Sequence, residues 1–549
     1  LRNFEFQIKA KMKYSLSFFT VIIVFFLRGV FTADAQFTNV LIDDANLPNE
    51  PSIIMNPKNT NQLVAGANFD NVYYSTDGGL TWINNFINSA YGIWGDPCLT
   101  VDTSGNFFYF HLSDSQFGGI FGGPGWLDRM VCQRSTNGGA TWSTGTYTGY
   151  NLNDSTKDQD KPWAIVDHTG SSPYQNNMYL AWTEFDDYGS TTAGDSSRIL
   201  FSKTTDDGAT WSTAISISQF SGDCIDEDNT TEGAVPAVGP NGEVYVAWSN
   251  NQMIYFDRSL DGGQTWLAND IAVATQPVGW DYSIPGLFRC NGLPVTACDL
   301  SGSPYNGTIY INWTDQRNGL TDTDVWLSKS TDGGNTWSLP IRVNNDAPGK
   351  HNFMSWMAVD QVTGTIYVVF YDRRNYSNQQ TDVYLAYSTD GGITFTNVKI
   401  SDSPFTPNQG IFFGDYINIT AHNGRVRPVW TRIANGISSV WTAIIDFPSG
   451  MDAANNFSLH TELQNFPNPF SNQTTISFNC AVERELTLCL YDATGREAMK
   501  LFSAKKFANG SHKLLFNNDE YQLPAGIYFM KLGSNNYSEM RKILITSGR

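Results

Sequence analysis

Between residue 37 and about residue 447 the chain is a succession of short runs in which apolar and polar positions alternate, rich in Val, Ile, Tyr, Phe, Trp and Thr and broken by Gly, Asn, Asp and Pro. Period-two alternation of β-branched and aromatic residues predicts strands, and the breakers predict turns. Pairs of such runs recur: 96–102 with 107–111, 161–167 with 178–182, 235–238 with 244–248, and a further strand at 308–313. Few stretches carry the 3.6-residue periodicity of an amphipathic helix.

A third run in each unit ends in nearly the same octapeptide. Its six copies are STDGGLTW at 75–82, STNGGATW at 135–142, TTDDGATW at 204–211, SLDGGQTW at 259–266, STDGGNTW at 330–337 and STDGGITF at 388–395. A motif recurring at intervals of 55 to 71 residues marks one duplicated supersecondary unit with loops of different length inserted. Asp-Gly or Asn-Gly supplies the positive φ of a hairpin, the carboxylate can bond nearby amides, and the closing aromatic pins the turn. Asp77, Asn137, Asp206, Asp261, Asp332 and Asp390 are therefore read as structural residues of the turn.

This is the Asp box, and residues 37 to about 447 resemble the sialidase-like (BNR repeat) β-propellers. The resemblance implies that the boxes lie on the face away from any active site. After the sixth box, 414–420, 425–431 and 439–446 supply three more strands without a box, and 37–43 parallels the segments 340–344 and 396–401 that follow earlier boxes. The expected fold is all-β: a seven-bladed propeller whose N-terminal strand closes the last blade, hiding sheet edges, followed by a small β-sandwich.

Both ends read as addresses. Lys13, the apolar stretch 18–27 and the small residues Ala33 and Ala35 make 1–35 an expected signal peptide, too short in its apolar part for a membrane span. The propeller is expected over 36–450 and a linker over 451–464. Beyond them 465–470 (NFPNPF), 490–496 (LYDATGR), 523–528 (LPAGIY) and 541–545 (RKILI) stand in a strand-rich segment. As a set they resemble the type A sorting domain of the type IX secretion system of Bacteroidetes, over 465–549. The resemblance implies an extracellular or cell-surface protein that meets the type IX machinery and keeps no transmembrane anchor after processing.

Composition narrows the partners. A net charge of −19 argues against nucleic acid, which requires a basic face; the resemblance to sialidase-like propellers implies an extracellular glycan or glycoprotein as the partner, here of an expected monomer. Of seven cysteines, Cys98 and Cys132 fall in strands as buried apolar residues, and Cys290 with Cys298 is the expected disulfide. No cysteine or histidine spacing suggests zinc.

Candidate chemistry lies in loops opposite the boxes. Asp96, Asp160 and Asp415 stand where innermost strands begin, with Glu50 and Glu232 nearby. Converging carboxylates serve as acid and base in glycoside hydrolysis or hold calcium, the one cofactor considered, while an acid before Pro in each blade equally caps a strand. Arg373, Arg374 and Arg432 fall at similar positions of adjacent blades, where guanidiniums capture a carboxylated sugar; Arg317 is read instead as the salt-bridge partner of Asp315. Trp126, Trp280 and Tyr282 are candidate sugar platforms, with Trp94, Phe121 and Phe288 beside them. His111 and His351 are the candidate bases of a lyase.

The sialidase pattern is incomplete. Its Arg-Ile-Pro motif has no counterpart in 49–55 (NEPSIIM), and Tyr416 and Tyr282 are the candidates for its nucleophilic Tyr. Activity belongs to a site, not to a fold. Two readings follow: a secreted exo-glycosidase acting on extracellular glycans, and a propeller that binds a glycan or protein without chemistry.

Overall fold

The computed structural model describes residues 37–114, 125–151, 156–447, 463–480, 484–493, 495–508, 510–534 and 537–547. The expected leader, Phe121 and most of the expected linker lie outside them. Seven four-stranded antiparallel sheets succeed one another along the chain. Their innermost strands are Ser52–Met55, Gly95–Val101, Asp158–Val166, Glu232–Val238, Val295–Cys298, Asn352–Val359 and Asn418–His422, for blades one to seven. Each of these strands touches the next, and the seventh touches the first, so the ring closes. The outermost strand of blade seven is Thr38–Asp43, paired antiparallel with Ile437–Asp446 so that Thr38 faces Ile444. The expected seven blades and N-terminal closure are thus the observed fold.

Every box lies between the third and fourth strands of its blade. In the first, the Ser75 hydroxyl donates to Asp77 Oδ1 at 2.8 Å and accepts from Gly79 N at 2.9 Å, while Thr81 N donates to Asp77 Oδ1 at 2.9 Å. The same three bonds recur in the other five. Boxes also join neighbouring blades. Trp266 packs edge-on against Phe201 of the preceding blade at 4.8 Å, and Trp337 against Phe256 at 5.0 Å. The second glycine lies flat in that contact: a Cβ on Gly263, whose φ is +78°, would stand 2.5 Å from Phe201 Cζ.

The cysteines differ from expectation. All seven are buried, and Cys290 and Cys298 are free thiols. Cys290 belongs to the connection that reaches blade five, whereas Cys298 ends that blade's innermost strand. The rise along the strand carries the two apart, and a disulfide needs Cα atoms within about 7 Å.

The C-terminal part has two sheets, one of Gln464–Phe466, Gln473–Cys480 and Gly510–Asn517, the other of Glu497–Phe507, Arg484–Asp492, Gly526–Ser534 and Tyr537–Ile545. Phe470, Ile476 and Phe516 from the first side meet Leu488, Met530 and Ile543 from the second in one core. Two sheets sharing one apolar filling make the expected sandwich.

Candidate functional site

On the face opposite the boxes, four of the seven innermost strands begin with a bulge. The register slips between Gly95 and Cys98, Asp160 and Trp163, Glu232 and Val235, and Phe353 and Trp356. The second residue of each stretch is left-handed: Asp96 at φ +52°, Lys161 at +50°, Gly233 at +83°, Met354 at +48°. Glu50, just before blade one, is at +50°. Such backbone is rare for non-glycine residues, and a bulge re-aims the side chain it carries. The register also corrects an equivalence drawn from the sequence: the counterpart of Asp96 in blade three is Lys161, and Asp160 corresponds to Gly95.

The side chains delivered there form one buried charge cluster. Lys161 Nζ lies 2.7 Å from Asp415 Oδ2 and 3.8 Å from Glu232 Oε1. Arg289, from the 276–294 connection, holds Asp415 with a two-pronged contact, its Nε 2.7 Å from Oδ1, and reaches Asp226 Oδ2 at 2.9 Å. Glu50 accepts from Asn68 Nδ2 and from Asp415 N, and Asn68 Oδ1 accepts from Asp96 N at 2.8 Å. The environments divide the carboxyls. Burial pushes Asp96 up to about 8, and Glu50 and Asp160 to about 7, with neighbouring carboxylates adding to it; Glu232 rises as well. Asp415 is buried too, yet Arg289 and Lys161 hold it below the ordinary carboxylate range. Lys161 and Arg289 stay charged, kept so chiefly by Asp415 against the cost of burial.

Beneath the cluster the channel is plugged. Trp163 of blade three meets Trp356 of blade six with ring centroids 4.1 Å apart, and Tyr416 packs edge-on against Trp163 at 5.3 Å. Beside the cluster remain cavities of ≈ 30 Å³, against Lys161, Trp163 and Tyr416, and ≈ 20 Å³, against Asp226, Trp280 and Arg289. Each has room for a water or two, whereas small-molecule sites run to about 300–1,000 Å³. The structure thus brings Asp96, Asp160 and Asp415 together with Glu50 and Glu232, nearly buried beside cavities of the size of a water or two.

Trp126, Trp280 and Tyr282 are 3%, 4% and 5% exposed and present no platform to solvent. Trp126 stacks edge-on with Trp94, Trp280 Nε1 donates to Thr230 O at 3.4 Å, and the Tyr282 hydroxyl bonds Thr314 Oγ1. These rings fill loops because the long connections need cores of their own. Of the described residues in that set, Phe288 is the exposed aromatic. His111 is buried between Leu112 O and Gln133 Oε1, with its pKa lowered to about 4 by burial.

The three guanidiniums separate. Arg374 Nε lies 2.7 Å from Asp372 and stacks over Tyr384, and Arg432 bonds Ser403 Oγ at 3.0 Å and lies 3.4 Å from Asp402. Asp315 holds Arg317, as expected. Arg373 differs: it is 3% exposed, its Nε donates to Thr381 Oγ1 at 3.0 Å and its Nη1 to Pro285 O at 2.8 Å, and its buried Nη2 has no partner. It lines an open concavity of ≈ 600 Å³ with Lys350, His351, Tyr376, Asn378 and Gln379. A second concavity of ≈ 480 Å³ shares Gln379 and Thr406 and adds Asn408, Gln409 and Asn435. Neither is lined by a carboxylate.

Among the described residues no group of three or more His, Cys, Asp or Glu side chains is arranged to hold a metal ion, and no helix is long and apolar enough to cross a membrane.

No curated protein matches the chain in sequence. Among solved structures it is similar to the BP39L lectin from Burkholderia pseudomallei (13% identity, 72% of this chain and 96% of that one, TM-score 0.46). It is similar as well to a Hadza microbial sialidase (13%, 70% and 73%, TM-score 0.42) and to Trypanosoma rangeli sialidase (11%, 85% and 87%, TM-score 0.40). At such levels likeness carries no argument about activity, and the strand pairing itself defines the architecture. Residues 464–546 match the family described as the secretion system C-terminal sorting domain. The chain is a seven-bladed Asp-box propeller that carries a secretion system C-terminal sorting domain.

Proposed function

We propose that the protein is exported, by the type IX route, to the cell surface or the medium, where its propeller holds an extracellular glycan on the loop face without cleaving it. One contrast supports this reading: the open concavities beside Arg373 offer bases, amides and hydroxyls but no carboxylate, while the carboxyls suited to acid–base chemistry are nearly buried above the aromatic plug. Amides and hydroxyls match sugar hydroxyls, and hydrolysis of a glycosidic bond needs two carboxyls flanking it.

The glycosidase reading keeps one observation in its favour. Asp96, with its pKa near 8, is protonated at neutral pH as a general acid must be. It would require the connection bearing Arg289 to lift.

The test is to titrate the full chain with neutral, sulfated and uronic-acid oligosaccharides by calorimetry while assaying the same mixtures for released sugar. Binding without turnover is expected, unchanged in Asp96→Asn and Asp160→Asn. Turnover that one of these variants abolishes would replace the proposal by a hydrolase.

A further inference from the structure

Lys161 and Asp415 meet across the ring, one on the innermost strand of blade three and the other on the connection that enters blade seven, 254 residues apart in sequence. Lys161 Nζ lies 2.7 Å from Asp415 Oδ2, and the two side chains are 6% and 3% exposed. A third side chain, Glu232 of blade four, stands beside them. It is fully buried, its Oε1 lies 3.8 Å from the same Nζ, and its carboxyl accepts no hydrogen bond. The glycan-binding reading gives these three residues no part.

An amine, a carboxyl and a second carboxyl around one nitrogen, shielded from bulk water, are the components of amide formation. Holding the reactants in contact replaces their encounter and lowers the barrier accordingly. Arg289 adds a fourth component. Its Nε donates to Asp415 Oδ1 at 2.7 Å and its Nη2 to Oδ2, so a guanidinium already faces the oxygen on which negative charge would gather. Burial, with Asp226 beside it, raises the Glu232 pKa well above the ordinary carboxylate value, so this group keeps a proton to give after an exposed acid has lost its own. The cavity of ≈ 30 Å³ walled by Trp163, Val235, Trp356 and Tyr416 touches both Lys161 and Asp415. It has the size of the one water that such a reaction releases.

We infer that Lys161 and Asp415 join in an isopeptide bond, with Glu232 as the proton relay, and that the bond ties blade three to blade seven across the mouth of the channel. The inference does not depend on whether a glycan binds. A proton passes from Nζ to Oδ2 and turns the ion pair into an amine and an acid. The Nζ lone pair then attacks Cγ and forms the new N–C bond, while charge gathers on Oδ1 against Arg289. Glu232 gives its proton to Oδ2 and takes one from Nζ, the Cγ–Oδ2 bond breaks, and Oδ2 leaves as water. Nζ keeps one hydrogen, Glu232 ends as it began, and nothing is oxidised or reduced. Charge stays balanced too: Arg289 retains Asp226 at 2.9 Å, and a neutral amide replaces two buried charges whose desolvation opposes folding. Until the bond forms, the pair is held by charge alone.

The experiment is peptide mapping of the purified full chain by mass spectrometry after unfolding and digestion. A branched peptide is expected that carries the Lys161 and Asp415 segments and is one water lighter than the two together. Lys161→Arg keeps the cation and should give no branch. Glu232→Gln, with its near-ultraviolet circular dichroism checked against the parent, is expected to lower the joined fraction about tenfold. On a denaturing gel the joined parent retains a closed loop and should run ahead of Lys161→Arg. Separate Lys161 and Asp415 peptides of full mass in the parent overturn the inference, and that result requires no variant to fold. Loss of water confined to the Asp415 peptide, as a cyclic imide leaves, overturns it as well, and so does a branch from Lys161 to Glu232. An unchanged joined fraction in Glu232→Gln overturns the relay.

Discussion

Trp163 and Trp356 meet across the ring, from blades three and six, with their ring centroids 4.1 Å apart. Side chains from opposite sides of a propeller reach each other only when the channel between them is filled. The pair, with Tyr416 on its flank, is the floor on which the charge cluster stands.

Removing that floor is expected to be expensive. Trp163→Ala deletes a large side chain that is 8% exposed and leaves a void, for which about 3–5 kcal/mol of stability is the usual loss. Urea unfolding measures it. Glycan affinity at the Arg373 hollow, which shares no lining residue with the plug, should stay unchanged in the same variant.

The charge cluster predicts an acid-shifted stability profile. Glu50, Asp96 and Asp160 have folded pKa values raised to about 7, 8 and 7, against about 4 for unfolded carboxyls. Between pH 4 and 8 the folded state therefore holds protons that the unfolded state releases, and stability falls as pH rises through this window. Asp415 has the opposite sign: its folded pKa is depressed, so its contribution is present above about pH 4 and lost below it. Urea midpoints measured from pH 3 to 9 should peak near pH 4–5 and decline towards 8. In Asp96→Asn the decline should be shallower; a level profile in the parent protein would contradict the assignment.

The Lys161–Asp415 pair should behave as a unit. Both are nearly buried, with side chains 6% and 3% exposed and 2.7 Å between them. Breaking it from one side leaves a charge without its partner and is expected to cost about 3–5 kcal/mol in Lys161→Met. Lys161→Met with Asp415→Asn should cost less than the sum of the two single changes, as read in a double-mutant cycle. Additive losses would mean that Arg289 alone neutralises Asp415.

Within a box the glycine should matter more than the acid. Gly263→Ala forces a Cβ into the Phe201 ring at a positive φ and is expected to cost about 1–3 kcal/mol. Asp261→Ala removes acceptors for Thr265 and Gln264 from an exposed turn and should cost about 1 kcal/mol. Thermal midpoints order the two, and the reverse order would remove the inter-blade role given to the box.

The repeat made the blades legible. Octapeptides on a recurring spacing mark third strands, and the likeness of 37–43 to later fourth strands was enough to anticipate closure of the ring. Gathering of Asp96, Asp160 and Asp415 was legible too, because the starts of innermost strands must converge in a propeller. Their partners were not. Lys161 occupies the position before Pro that Glu50 and Asp96 hold, which was an available signal, but Arg289 arrives from a long connection with no repeat to align it. Arg373 and Arg374 illustrate the limit: adjacent in sequence, they leave the strand in different directions, one to Asp372 and the other to neutral oxygens. Nor does local pattern reveal a contact between blades three and six.

Closure by Thr38–Asp43 also orders events in time. The strand made first waits for Ile437–Asp446, nearly the last of the propeller to be synthesised. Pairing at such sequence separation is slow, since the loop it closes is nearly the whole domain. Until then blade seven lacks its outer strand and the ring stays open. Once Thr38 finds Ile444, the ring is locked by its own beginning.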